Sequence, residues 1–209
     1  YESFNDPKED ISTEITLLTG IENKMVDGKF IDWNEVDALF QGVDIIIAHN
    51  ASFDRAFIDR FSSISPSKVW ACSISDIDWL ERGFTSSKQE LLCYWHGFYF
   101  DAHRAMNDVD ALIHLLTFDT GLERPLLELI KNSNKSEFVI YAEHFKYDPV
   151  KKDILKGNKY RWNPNDKIWF KKVNLDELEH EKDWLTATIY DQVFKGTVEE
   201  IIPSNKYKL

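Results

Sequence analysis

Apolar runs alternate with amphipathic stretches along the first 120 residues of the chain. The run VDIIIAH, residues 43–49, is apolar almost throughout, which is typical of a central parallel strand that is buried on both faces. A second strand is predicted in KVWACSIS. Amphipathic helices are predicted in DWNEVDALFQG, in SKQELLCYWHG and in HRAMNDVDALIHLLTF, and a further helix is predicted to begin near Asp54. The opening segment, YESFNDPKEDISTEITLLTGI, is interpreted as a strand end and a loop. This alternation of strands and helices predicts a layered α/β fold.

The composition changes at LIKNSNKSE, residues 129–137, a polar stretch that we interpret as a linker. It separates a first domain, residues 1–130, from a second, residues 137–209. The second domain is predicted to be a small α+β module. Its expected elements are a strand in FVIYAEHF, a helix in PVKKDILKG, a hairpin in KYRWNPNDKIWFKKV, a helix in LDELEHEKDWLTATIYD and a strand in TVEEIIPS.

The predicted hairpin combines aromatic and basic side chains. Tyr160 and Trp162 share one strand face, and Lys159 and Arg161 share the other. Aromatic rings beside Lys and Arg suit stacking with single-stranded nucleic acid. The alternative, which strand alternation by itself favours, is that the rings pack on the following helix.

The helix that begins near Asp54 carries a carboxylate inside its apolar stripe. Asp54 shares a helical face with Phe57, Ile58 and Phe61, whereas Arg55 and Asp59 point the other way, where we expect water. A charged group in an apolar stripe is costly unless it is paired. Asp54 therefore either caps the helix amides or faces a cation, and this stretch leaves both interpretations open.

A second helix repeats the arrangement. Ala105, Val109, Leu112 and Leu116 form its apolar stripe, and Asp108 falls inside that arc. One such Asp is easily a cap, but two on different helices suggest convergence on a metal ion or on each other. His103, five residues before Asp108, is a candidate base beside a candidate ligand.

The composition limits the possible functions. The chain has 209 residues, 43% of them hydrophobic, and a net charge of −11, which argues against wrapping duplex nucleic acid through a basic surface. A small cleft that grips a strand end remains compatible with this charge. Cys72 and Cys93 are too few and too far apart for a disulfide scaffold or a zinc site. No run is long enough to span a membrane and no signal peptide opens the chain, so we expect a soluble, cytoplasmic protein with no membrane partner.

Two motifs resemble those of a known family. AHNASFD, with His49 to Asp54, and HRAMNDVDAL, with His103 to Asp108, resemble the second and third motifs of the DEDDh (DnaQ-like) exonucleases. This is the family of the proofreading epsilon subunit of bacterial DNA polymerase III. The resemblance covers roughly the first 120 residues.

The resemblance implies an α/β, ribonuclease-H-like fold and two divalent ions, Mg²⁺ or Mn²⁺, held by four carboxylates. Asp54 and Asp108 would be two of these ligands, and His103 would deprotonate the water that attacks the terminal phosphodiester. His49 and Asn50 would shape the cleft or contact substrate, with a purely structural role equally open. Phe53 also matches a position near the family's substrate site, although it suits the core as well.

The family's first motif, Asp-x-Glu on its first strand, is absent from this chain. Asp76 and Asp78 in SDID have the required alternation but follow the wrong strand, and we interpret them as surface or strand-end residues. We therefore expect the exonuclease fold to be N-terminally incomplete and the chain to be inactive by itself. The strand at residues 43–49 would then carry an unpaired apolar edge.

The sequence thus predicts a metal-dependent 3′-to-5′ exonuclease that releases nucleoside monophosphates from single-stranded 3′ ends. DNA is the favoured substrate, and a DNA polymerase is a candidate partner. One alternative is an RNA-trimming exonuclease on the same fold, since the motifs do not distinguish the two sugars. Another is a non-catalytic module that binds nucleic acid or a protein partner.

Overall fold

A computed structural model describes residues 1–102, 104–118, 123–190 and 192–208. The chain divides into two compact units. The first comprises Tyr1–Ser133 together with Tyr207–Leu209, and the second comprises Asn134–Lys206. Tyr207 groups with the first unit although it follows the second in sequence, and its hydroxyl donates a 2.8 Å hydrogen bond to Asp76 Oδ2.

The first unit is built from helices around a small parallel sheet. In chain order its elements are α1 (Thr13–Thr19), α2 (Asn23–Val26), α3 (Trp33–Gln41), β1 (Ile45–Ala48), α4 (Ala51–Ile58), β2 (Val69–Cys72), α5 (Gln89–Trp95), α6 (Ala105–Thr117) and α7 (Pro125–Ser133). The strands and helices predicted for residues 32–117 are present. The mixture of helices and small sheets is α/β, as expected from the sequence.

The opening segment, residues 1–21, contains helix α1, and α2 follows it directly, so its interpretation as a strand end and loop was wrong. Ser12 accepts a hydrogen bond from the Ile15 amide at 3.3 Å, and Gly20 ends α1 in the left-handed conformation, φ 67°. These are the residue types that cap helices at either end. Helix α1 has no buried residue. The residues that predict α1 are therefore its caps and not an apolar stripe.

Strand β1 pairs in parallel with β2, with Ile46 opposite Trp70. Among the described residues β2 is its only strand neighbour, so β1 does not have the central position predicted for it. Its residues are partly buried. Ile45 and Ile47 pack on the core formed with α5, α6 and α7, whereas Ile46 and Ala48 face the core that includes α4. Helices α4 and α6 therefore cover opposite faces of the same sheet.

The second unit is an α+β module with the elements that the sequence predicts. These are β3 (Glu137–Ala142), α8 (Pro149–Gly157), β4 (Arg161–Asn163), β5 (Ile168–Val173), α9 (Leu175–Thr188) and β6 (Thr197–Ile201). The sheet is antiparallel with the strand order β4-β5-β3-β6. Helix α9 covers one face, where Ile140, Leu155 and Leu185 are fully buried.

Candidate nuclease site

The turn between β1 and α4 places the second motif at the carboxyl end of the sheet. Asn50 adopts the left-handed conformation, φ 69° and ψ 54°, and its carbonyl accepts a hydrogen bond from the Phe53 amide at 2.9 Å. Asn tolerates this conformation better than most residues with a side chain. Asn50 is exposed and occupies the N-cap position of α4. Asp54, in the first turn, is therefore not the N-cap residue.

His49 is fixed by a contact that the sequence did not reveal. Its Nδ1 lies 2.8 Å from Ser73 Oγ, and Ser73 is fully buried just after β2. Burial lowers the pKa of His49 below its usual range. The ring is therefore neutral near pH 7, and it is oriented by Ser73 at the end of both strands.

Asp54 lies at the border between the buried and exposed sides of α4. Its side chain is partly buried, and burial raises the pKa of its carboxyl above the usual range. An ionised carboxylate at such a position is stabilised by a cation.

The buried face of α4 differs from the face that the sequence predicts. Arg55, expected in water, is 0% exposed, whereas Phe57 and Phe61, expected in the core, are 51% and 61% exposed. Phe53 is 61% exposed as well, so a core role for this residue is excluded in the described chain. The helix turns Ala51, Arg55 and Ile58 toward the sheet.

Arg55 is buried because polar and aromatic groups surround it. Its Nε donates to Asp59 Oδ2 at 3.0 Å, a terminal guanidinium nitrogen donates to the Pro66 carbonyl at 3.2 Å, and the guanidinium lies 5.8 Å from the Trp70 ring. Asp59 also accepts a hydrogen bond from Ser65 at 2.5 Å. A buried charge is tolerated when it is paired and hydrogen-bonded in this way. The pairing fixes the rotation of α4, and with it the direction of Asp54.

Asp108 lies in the first turn of α6 and is partly buried. The buried residues of this helix are Ala111, Leu112, Leu115 and Leu116, which place Asp108 on the buried face by three- and four-residue spacing. Its backbone carbonyl accepts a hydrogen bond from Gln89 Nε2 at 2.5 Å, which links the start of α6 to α5.

Val109 was expected in the apolar stripe but is 47% exposed, because the buried face is centred on Leu112 and Leu115. His103, the candidate base, lies outside the described residues. Its role stays a prediction.

The SDID segment is not a surface pair. Asp76 is 3% exposed, and its Oδ2 accepts hydrogen bonds from the Cys72 amide and the Tyr207 hydroxyl, both at 2.8 Å. Asp78 is exposed, and its Oδ1 accepts a hydrogen bond from the Glu81 amide at 3.0 Å. Of the two interpretations, surface or strand end, Asp76 fits the strand end, since its carboxylate closes the turn after β2, and Asp78 fits the surface.

Within the described part of the chain, no group of three or more His, Cys, Asp or Glu side chains could hold a metal ion. Asp54 and Asp108 lie on helices that cover opposite faces of one sheet, and their approach across a single cleft stays a prediction. These residues do not complete a metal centre by themselves. A groove of about 420 Å³ between α6 and residues 98–101 includes none of the predicted site residues.

The chain is distantly similar to PolC-type DNA polymerase III. The protein of this name from Halalkalibacterium halodurans is 26% identical over 178 aligned residues, which cover 79% of this chain and 11% of the relative. Those from Listeria welshimeri and Listeria monocytogenes are each 38% identical over 68 residues, covering 28% of this chain and 4% of the relative. This chain therefore spans a small part of these much longer proteins. No family model and no solved structure matches it. Among the described residues, no helix has the length and apolar character to cross a membrane.

Proposed function

We propose that this chain carries part of the active site of a 3′-to-5′ exonuclease that acts on single-stranded 3′ ends, with DNA as the favoured substrate. Asp54 and Asp108 would be two carboxylates of that site, and His103 the base that takes a proton from the attacking water. His49, Asn50 and Phe53 would contact the terminal nucleotide.

The observation that carries the proposal is the placement of the two carboxylates. Each lies in the first turn of a helix, and each is partly buried beside the apolar core. Burial disfavours the charged form of Asp54, so this position is costly for folding unless a ligand compensates. Perturbed carboxyl groups of this kind concentrate at functional sites.

The named relatives support the same process. They are called DNA polymerase III, and the epsilon subunit of bacterial DNA polymerase III belongs to the family whose motifs this sequence resembles. A role beside a DNA polymerase is therefore favoured over RNA trimming.

The proposal requires ligands besides Asp54 and Asp108, since the described residues contain no group of three that could hold a metal ion. We expect Mg²⁺ or Mn²⁺ to be the ions, because carboxylate oxygens suit hard cations. His103 would act as the general base. General bases of this type contribute about 10²- to 10⁴-fold to rate.

The test is an exonuclease assay with a 5′-fluorescent single-stranded DNA and an RNA of the same sequence, each with and without Mn²⁺. It is run on the 209-residue chain and on the complete natural polypeptide in which the chain occurs. We expect a metal-dependent ladder of shortened DNA from the complete polypeptide and none from the 209-residue chain. Shortening of RNA and not DNA would establish the RNA-trimming alternative.

Matched variants identify the residues. Asp108→Asn should abolish the ladder, whereas Asp110→Asn, an exposed carboxylate on the same helix, should leave it intact. His103→Ala should slow it about 10²- to 10⁴-fold without changing Mn²⁺ affinity, because it removes a base and not a ligand. An unchanged rate in Asp54→Asn and Asp108→Asn would overturn the proposal. A complete polypeptide that binds the strand without shortening it would indicate the non-catalytic module.

A further inference from the structure

The second unit contains a segment whose charge is opposite to that of the chain. Residues 144–173, which include α8, β4 and β5, carry nine Lys and Arg against three Asp and no Glu. The remaining residues carry sixteen Lys and Arg against thirty-three Asp and Glu. A local basic excess in an acidic protein indicates a specific surface for an anion, because the overall field would repel one.

Three of these basic side chains are already engaged within the unit. Lys171 pairs with the buried Glu181 at 2.5 Å, Lys172 lies 3.4 Å from Glu137, and Lys151 donates to the Ile189 carbonyl at 2.6 Å. They hold the sheet and helices together. They are therefore not the groups that would meet a ligand.

The exposed basic side chains gather along the outer strand of the sheet. Strand β4 is an edge, with β5 as its one strand neighbour among the described residues. Lys159 and Arg161 lie at its start, Lys167 follows its turn, and Lys156 is joined to Lys159 by a 3.0 Å backbone hydrogen bond. All four are exposed, and none forms an ion pair with the described residues.

One aromatic side chain is exposed on the same strand. Trp162 is 46% exposed and lies opposite Trp169, with ring centroids 5.4 Å apart. Tyr160, two residues earlier, is 3% exposed and stacks on Trp184 of α9. Each interpretation of the hairpin therefore holds for one of its rings. Tyr160 belongs to the core, and Trp162 presents its ring to solvent.

We propose that the β4-edge surface, formed by Lys156, Lys159, Arg161, Trp162 and Lys167, binds single-stranded nucleic acid. Arg161 and Trp162 are consecutive residues of β4 and project to opposite faces, so the occupant would lie along the edge itself. There the cations suit successive phosphates, and the indole of Trp162 offers a stacking platform for an unpaired base. Asp166, in the same turn, accepts a hydrogen bond from Asn163 at 2.6 Å and is the one carboxylate within the strand and its turn. A duplex offers no unpaired base for the ring, so a single strand is the occupant that uses both features.

This surface goes beyond the proposed nuclease site, because it belongs to the second unit and needs neither Asp54 nor a metal ion. Its test is the fluorescence anisotropy of a labelled oligothymidylate with the 209-residue chain in EDTA, measured over a range of salt concentrations. Hydrolysis plays no part in this readout. Failure here and failure of the exonuclease proposal are therefore distinguishable.

The charge variant is Lys159→Asn with Arg161→Gln and Lys167→Asn. Asn suits the positive φ of Lys159 and Lys167, 66° and 54°. Each neutralised phosphate contributes about 0.7 to the slope of log affinity against log salt for a single strand, so the slope should fall by about 2.

The control for net charge changes three exposed lysines elsewhere to Gln: Lys29, Lys131 and Lys195. Lys195 precedes β6, at the far edge of the same sheet. We expect this control variant to keep most of the wild-type affinity for the oligothymidylate and most of the wild-type slope of log affinity against log salt.

The stacking variant is Trp162→Ala, which should weaken binding at least about fivefold with the salt slope unchanged. Trp162→Phe, which keeps an aromatic ring on the strand, should restore most of the affinity. Absence of wild-type binding at low salt, or equal losses in the charge variant and its control, would overturn the proposal. An unchanged affinity in Trp162→Ala, together with displacement of the oligothymidylate by heparin as effective as by unlabelled oligothymidylate, would show that the surface binds anions in general. That result would also overturn the proposal.

Discussion

Replacing Arg55 by alanine tests the rotation of α4, on which the placement of Asp54 depends. Arg55 is 0% exposed, and its guanidinium bonds to Asp59 and to the Pro66 carbonyl beside the Trp70 ring. The substitution removes the cation and leaves its partners in place. Asp59 would then keep a partly buried charge without its partner, and a cavity would open next to Trp70.

The expected loss of stability can be estimated from these contacts. Removing one partner of a buried ion pair costs about 3–5 kcal/mol, since the other charge is left uncompensated. The Asp59 side chain is 21% exposed, so water offsets part of this cost and the lower end, about 3 kcal/mol, applies. For a unit of this size that corresponds to a fall in Tm of roughly 10 °C.

The matched control is Arg60→Ala on the same helix. Arg60 is exposed, and its guanidinium lies 5.3 Å from the ring of Phe57, which is 51% exposed. Such a contact at an exposed site is worth about 0.5–1 kcal/mol. Differential scanning calorimetry gives both losses, and hydrogen exchange over residues 51–70 shows whether the destabilised region is α4 with its neighbours.

Losses that agree within about 0.5 kcal/mol for the two variants would refute the reasoning, as would a larger loss for Arg60→Ala. Either result would mean that the phenylalanine face of α4 is the buried one. A double-mutant cycle with Asp59→Ala separates the ion pair from the cavity, since residues in direct contact couple measurably. A coupling energy near zero would leave the cavity as the whole effect.

Three further perturbations probe the first unit. Burial raises the pKa of Asp54 above its ordinary value of 3.8, so its contribution to stability falls as the pH rises from 3.8 through the raised pKa. Asp54→Asn should therefore raise the free energy of unfolding, measured in urea, at pH 7.5 and change it little near pH 3.8. A gain in stability that grows toward acid pH would contradict this. Leu115, 0% exposed, should cost about 2–5 kcal/mol in calorimetry when changed to Ala, and a loss below 1 kcal/mol would place it outside the core. Burial raises the pKa of Cys93 to about 12, and Cys72 is buried as well. A thiol reagent at pH 8 should therefore label neither cysteine until urea is added. Rapid labelling of the native chain would contradict their burial.

The sequence was most informative where local chemistry decides the structure. The Pro-Asn-Asp turn and the alternation around it predict the β4–β5 hairpin, and the spacing of Leu112 and Leu115 puts Asp108 on the inner face of α6. Capping residues also act locally. Ser12 and Gly20 cap α1, which has no buried residue, so its caps predict this helix where an apolar stripe does not.

The rotation of α4 could not be derived in the same way. Its sequence offers Phe53, Phe57 and Phe61 on one side and a charged Arg55 on the other, so hydrophobicity favours the wrong face. The partners that make burial of Arg55 favourable are the Pro66 carbonyl and Trp70, which lie eleven and fifteen residues further along the chain. Ser73, which orients His49, is likewise remote in sequence. Tertiary contacts of this kind override local pattern.

The observed rotation of α4 supports the proposed chemistry, because it changes the surroundings of Asp54. Successive residues of an α-helix are about 100° apart, so a buried Arg55 puts Asp54 at the edge of the buried arc, next to the exposed side that carries Phe53 and Phe57. Had the face predicted from the sequence been buried, with Phe57, Ile58 and Phe61, Asp54 would lie in its middle, closed to water and to any ion from solvent. At the edge it is desolvated enough for burial to raise its pKa, and it remains accessible from outside. A carboxylate that must bind a ligand needs both properties, and in this chain the buried arginine beside it provides them.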